Sequence, residues 1–218
     1  MSRRFDRIVF DWDGTIVDST SMIALCIQKA AADLGLTVPT MEQASHVIGL
    51  GLHDALARAV PELAAGRIEE FSARYRYHWF ACEPEIVLFD GIRELLVELG
   101  ERGVPRAVAT GKSRRGLARA FDQTGLGAFF ESSRCADETH PKPHPAMLLE
   151  LAEELTVTTE RIVMIGDTTH DLEMAAAAGA AGIGVTYGAH PREQLASRAS
   201  LALVADVAEL RRWLQANG

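Results

Sequence analysis

Two aspartates one residue apart, Asp11 and Asp13, close the apolar run Arg7-Ile-Val-Phe-Asp11-Trp-Asp13-Gly-Thr15 near the start of the chain. Carboxylates held this close repel each other unless a cation or a proton lies between them. The pair therefore reads as a nucleophilic Asp beside an acid/base Asp, with a hard, oxygen-seeking ion such as Mg²⁺ close by. The plainer alternative is a strand end running into an Asx turn. Further along, Thr110 offers a hydroxyl and Gly111 an amide to a phosphate oxygen, although Thr110 could equally cap the next helix. Lys142 stands between Pro141 and Pro143, which stiffen the backbone around it and could aim its ammonium group. Asp167 and Asp171 are spaced by about one helical turn; alternatively they cap and charge the start of a helix. Four acidic side chains aimed at one place would need a divalent cation and a lysine among them. The chain supplies the lysine.

The elements between these residues predict how they meet. Residues 7–11 are too few for a helix and too uniformly apolar for a half-exposed strand, so they read as a strand covered on both faces. Asp11 and Asp13 then fall at its carboxyl end, where Gly14 permits a sharp turn. Asp18 or Ser19 can cap a helix carrying Ile23, Ile27, Ala30 and Leu34 that ends at Gly35. Three more helical segments follow, Met41–Ile48, Leu52–Val60 and Leu63–Phe80, with no strand among them. From Asp90 the pattern alternates. Strands are predicted at 105–109, 132–135, 161–165, 182–186 and 201–204, separated by helices. This implies an α/β protein, a Rossmann-like doubly wound parallel sheet core with a small all-helical cap inserted after the first strand. The boundaries are 1–17 and 84–218 for the core and 18–83 for the cap. Every candidate residue of the core follows a predicted strand, and the carboxyl ends of parallel strands share one edge of the sheet. Gly111-Lys112-Ser113 is not a nucleotide P-loop, because Arg106 stands where that motif needs its first glycine.

With 218 residues, 48% hydrophobic and 24% charged, the composition is that of an ordinary globular protein. The net charge of -8 argues against a nucleic-acid or anionic-membrane surface, and no segment approaches transmembrane length. Cys26, Cys82 and Cys135 form neither a Cys-x-x-Cys pair nor a disulfide framework, which points to a reducing, cytoplasmic setting. The seven histidines form no zinc-like cluster in sequence and default to surface or supporting roles. His53 stands apart, after Gly49-Leu-Gly51 in the cap. The pattern says nothing about oligomeric state.

Taken in order, Asp11-Trp-Asp13-Gly-Thr15, Thr110-Gly111, Lys142-Pro143 and Gly166-Asp167-Thr-Thr-His-Asp171 resemble the four motifs of the haloacid dehalogenase-like hydrolases. The resemblance covers almost the whole chain. With a helical insertion directly after the first motif, it is most similar to the phosphoglycolate phosphatase-like branch. The resemblance implies a Mg²⁺-dependent phosphatase acting on a small phosphorylated metabolite, with a phosphoglycolate-like monoester favoured. It makes Asp11 the nucleophile that forms an aspartyl-phosphate, and Asp13 the acid and then base. Asp11, Asp167 and the backbone carbonyl of Asp13 would hold Mg²⁺, with Asp171 ordering the metal's waters or Lys142. Thr110, Gly111 and Lys142 would hold the phosphoryl group. The bend carrying His53 would face the active site and contact substrate. An acid at Asp13 argues against a dehalogenase. Other readings are a hexose-phosphate mutase or a pyrophosphatase on the same fold and, more remotely, a phospho-accepting signalling module. A mutase needs a cation in the cap loop for the remote phosphate, and the nearest arginine in sequence, Arg58, lies more than a helical turn beyond it.

Overall fold

The computed structural model describes residues 4–217; the outermost residues of the expected core, 1–3 and 218, lie outside it. Strand β1 (Arg7–Phe10) leads into a short strand β2 (Val17–Asp18). Helices α1 (Thr20–Asp33), α2 (Met41–His46), α3 (Leu52–Ala59) and α4 (Ile68–Cys82) follow, then a second short strand β3 (Val87–Leu88). Helices and strands alternate from there: α5 (Ile92–Glu101), β4 (Arg106–Thr110), α6 (Arg114–Thr124), β5 (Ser132–Cys135), α7 (Ala146–Glu154) and β6 (Ile162–Gly166). The chain ends with α8 (Thr169–Ala178), β7 (Ala181–Val185), α9 (Arg192–Ala196), β8 (Ala202–Val204) and α10 (Val207–Asn217).

Six strands form one parallel sheet in the order β5-β4-β1-β6-β7-β8. Val9 is in register with Ala107 on one side and Met164 on the other. Because strand residues alternate between faces, the central strands feed two cores. Ile8, Phe10, Val108, Val163 and Ile165 pack with α5, α6 and α10; Val9, Ala107, Ala109, Ile162 and Met164 pack with α7 and α8. This is the doubly wound α/β arrangement expected. It also explains why the strands read as continuous apolar runs. The chain reverses direction across the sheet between β1 and β6, so their carboxyl ends flank the crevice in which such sheets bind ligands.

Helices α1 to α4 build a separate apolar cluster from Ile27, Ala30, Ala31, Ala44, Leu56, Ala59 and Phe71. The predicted segment Leu63–Phe80 is in fact a 3-10 turn, Ala65–Arg67, followed by α4, whose helical register runs to Cys82. The strands β2 and β3 were not expected. They pair antiparallel, Val17 with Leu88, where the chain enters and leaves the helical segment, and two residues each leave no periodicity to read.

Candidate active site

Asp11 follows β1 directly, and its amide donates to Ile165 O at 2.8 Å, extending the sheet by one rung. Trp12 turns into the core, while Asp11 and Asp13 both open onto one cavity. Gly14 has φ +76° and no room for a Cβ, which would fall 2.0 Å from Asp167 Oδ2. The carboxyl ends of β1, β4 and β6 thus bring together the residues expected from their spacing.

At the centre is Lys142, fully buried, its Nζ 2.7 Å from Asp11 Oδ1 and 2.6 Å from Asp171 Oδ1. Burial alone would depress the lysine, but the two carboxylates outweigh it and hold its pKa above the ordinary lysine value. Burial, reinforced by Asp171 and Asp167 and opposed by Lys142, holds Asp11 well above the usual carboxylate range. Asp167 is pushed up to about 7, by burial first and then by Asp171, against the Ala189 amide that donates to its Oδ2 at 2.7 Å. Thr15 Oγ1 donates to the other oxygen of Asp167 at 3.2 Å. Asp171 closes a capping box at the start of α8: Thr168 N and Oγ1 donate to its Oδ2 at 3.1 and 2.7 Å. Its role as a helix-start carboxylate and its contact with Lys142 coexist, one on each oxygen.

Carboxylate oxygens of Asp11, Asp167 and Asp171 all lie within 4.8 Å of one another. Asp11 Oδ2 is buried and accepts no hydrogen bond from the described residues. An orphaned oxygen in a buried, all-oxygen set fits a small hard cation, with Asp11 and Asp167 as the side chains that would hold it. The linkage has a definite sign. A folded-state carboxyl raised from 3.8 to about 7 binds its proton more tightly than the unfolded chain does, so metal-free stability falls as pH rises through that window. Metal needs the ionised carboxylates and reverses the loss. Added Mg²⁺ should therefore raise the melting temperature more at a pH about one unit above 7 than at about one unit below it. Equal increments in a thermal scan would contradict the assignment.

Asp13 is held differently. Ser19 Oγ donates to its Oδ1 at 2.7 Å, and Lys112 Nζ lies 3.1 Å from the same oxygen. Ser19, expected to cap α1, occupies the cap position but makes no capping bond; its hydroxyl is used on Asp13 instead. Lys112 also lies 4.5 Å over the Trp79 ring of α4, so one ammonium touches both the acid group and the helical segment. Neither Ser19 nor Lys112 has a sequence context that points to Asp13. Thr110 is fully buried and its Oγ1 accepts from Lys112 N at 3.2 Å, while Ser113 caps α6. Gly111 is a close-approach position: a Cβ there would lie 2.4 Å from Leu50 O and 2.7 Å from Gly49 O. The loop between α2 and α3 therefore rests on the end of β4.

The histidines divide. His53 lies at the cavity rim, more than half exposed, with Nε2 3.0 Å from Glu69 Oε1 on the helical segment. His170 and His190, assigned by default to surface or supporting roles, are both buried. Thr169 N donates to His190 Nδ1 at 3.0 Å, so His190 carries its proton on Nε2, which reaches His46 O at 3.1 Å. Burial lowers the pKa of His170 and pushes His190 down to about 4, which keeps both neutral, and the His46 ring stacks on His190 at 4.8 Å. These contacts anchor α2 to α8 behind the carboxylate cluster. Sequence spacing gave no sign of them.

A cavity of about 600 Å³ separates this cluster from the helical segment. The sequence profile of the haloacid dehalogenase-like hydrolases matches residues 8–185. The chain belongs to this family. It is 36% identical over 194 residues to the "Probable phosphatase IndB" of Dickeya dadantii, covering 86% of this chain and 84% of that one. It is 30% identical over 187 residues to the phosphoglycolate phosphatase of Pectobacterium atrosepticum, covering 83% and 80%. Among solved structures, a "predicted phosphoglycolate phosphatase" from Haemophilus somnus superposes with a TM-score of 0.86 at 26% identity, over 98% of this chain and 99% of that one. This member of the haloacid dehalogenase-like hydrolases is accordingly a phosphatase of the phosphoglycolate phosphatase-like branch. Among the described residues, no helix is long and apolar enough to cross a membrane.

Proposed function

We propose that this phosphatase hydrolyses a small phosphorylated metabolite through an aspartyl-phosphate on Asp11, with Mg²⁺ as its cofactor. The observation that carries the reading is the buried cluster of Asp11, Asp167 and Asp171 around Lys142, opening onto a cavity beside Asp13. A carboxylate oxygen of Asp11 attacks phosphorus. Lys142, held by Asp171, and the Thr110 hydroxyl with the Gly111 amide receive the phosphoryl oxygens, whose charge the site must neutralise. Both partners of Asp13 engage Oδ1, so Oδ2 is left to pass a proton to the leaving oxygen and then to take one from the hydrolytic water. Mg²⁺, on Asp11, Asp167 and the Asp13 carbonyl, would supply charge neutralisation at the transferring group.

Residues 18–83 serve in this reading as a cap that covers the leaving group, and 1–17 with 84–218 as the catalytic core. The three cysteines are free thiols, in keeping with a cytoplasmic enzyme. Phosphoglycolate, which names the Pectobacterium relative, is the reference ester of the class. Arg58 lies off the cavity, whereas Arg76, Arg115 and Arg119 line it from α4 and α6, so cations reach it from elements other than the loop after Gly49.

The test is release of inorganic phosphate from an aryl phosphate with and without Mg²⁺. Sustained, Mg²⁺-dependent turnover is expected, with Ca²⁺ inhibiting, since its longer bonds and higher ligand number would hold both Asp11 oxygens away from phosphorus. Full activity in excess chelator would refute the metal assignment, and a single stoichiometric phosphorylation without turnover would favour the signalling module.

A further inference from the structure

The cations near the base of the cavity are already committed. Lys142 is shared between Asp11 and Asp171, and Lys112 lies between Asp13 and the Trp79 ring. Arg119 pairs with Glu83. Arg76 and Arg115 have no hydrogen-bond or ion-pair partner among the described residues, but both are exposed. At the base of the cavity the carboxylate of a two-carbon acid would thus meet cations that already have partners, leaving the exposed Arg76 and Arg115 to pair with it. The volume points the same way. About 600 Å³ lies within the range of about 300–1,000 Å³ typical of sites for whole drug-sized ligands, and glycolate would fill little of it.

One side of this space is apolar: Ile23 and Ile27 of α1, Val47 and Leu50 of the loop after α2, and the rings of Tyr75 and Trp79 on α4. Water in such a space is readily displaced by a body of matching shape. Charged side chains, among them Asp13, Arg76, Glu83, Lys112 and Arg115, also border the cavity, and one hydroxyl lies beside the apolar residues. The Tyr75 hydroxyl makes no hydrogen bond with any described residue, although Tyr75 packs beside Trp79 with ring centroids 6.3 Å apart. Burial, and then the charge of Asp13, push its phenol up, so it stays protonated and remains a donor. A polar group without a protein partner among apolar side chains fixes the orientation of a ligand there.

We propose that the alcohol half of the substrate is a ring-bearing, largely apolar body carrying one polar substituent that hydrogen-bonds the Tyr75 hydroxyl. This deepens the phosphatase reading and rests on it. Tyr75 acts here as a specificity-determining residue. It takes no part in the transfer itself.

The test measures kcat/KM for phosphoglycolate, benzyl phosphate and the ortho-, meta- and para-hydroxybenzyl phosphates, on the parent protein and on Tyr75→Phe. The benzyl series should exceed phosphoglycolate by about tenfold or more, the equivalent of one well-buried ring. At least one hydroxylated ester should exceed plain benzyl phosphate, and Tyr75→Phe should remove that advantage, about three- to tenfold for one hydrogen bond. Phosphoglycolate matching the benzyl esters would overturn the proposal. So would a hydroxyl preference that survives Tyr75→Phe. Phosphate release from none of the esters would overturn the phosphatase reading itself, which separates the two failures.

Discussion

Replacing Asp11 with Asn is expected to end steady-state phosphate release while the protein remains folded. The amide is nearly isosteric with the carboxylate, so the packing at the end of β1 and the rung from Asp11 N to Ile165 O survive. What is lost is the attacking oxygen. Removing a nucleophile typically costs about 10⁴-fold or more in turnover, far beyond what a positioning defect explains. The change also removes one charge from a site where Asp171 and Asp167 already oppose ionisation of Asp11. A circular dichroism spectrum like the parent's together with absent turnover is the expected pair of results. Retained turnover in a clean preparation would remove Asp11 from its assigned role.

The second large effect falls on both stability and chemistry. Lys142→Met keeps the volume of the side chain and deletes its charge, leaving Asp11 and Asp171 facing each other without the ammonium between them. Breaking a fully buried ion pair by removing one partner costs about 3–5 kcal/mol. The loss should be largest near neutral pH and should shrink on acidification, because burial already favours the protonated form of Asp11 and taking up a proton relieves the repulsion. Turnover should fall about 10²- to 10³-fold, as when one donor to a developing oxyanion is lost. Denaturant titrations at two pH values check the first part. Unchanged stability at neutral pH would show that the lysine contributes nothing there.

The core of this site was legible because its parts are local. Asp-x-Asp at a strand end, a proline-flanked lysine and two acids one helical turn apart are patterns within a few residues, and a parallel sheet carries them all to one edge. What escaped notice depends on contacts between distant segments. Ser19 looked like an ordinary helix cap, and only the turn after β1 aims it at Asp13. Lys112 was weighed only as part of a failed P-loop. His170 and His190 gave no clue in sequence that both would converge on the carbonyl of His46. Ala189 contributes to the site through its amide, which no side-chain pattern can disclose. The strands β2 and β3 are too short to carry alternation. Arg76 and Arg115 reach the cavity from helices that carry no chemical motif in sequence.

One approach between the helical segment and the sheet is made by main-chain atoms, the carbonyls of Gly49 and Leu50 against Gly111. At this contact the side chain that matters is the one that Gly111 lacks. The residues of α1 that border the cavity, Ile23 and Ile27, can therefore be exchanged over evolutionary time, or by a designer, without disturbing this contact. Diversification of the accepted alcohol is in this way decoupled from preservation of the phosphate chemistry. Part of the scaffold's tolerance to new specificities then rests on the absence of one methyl group at position 111.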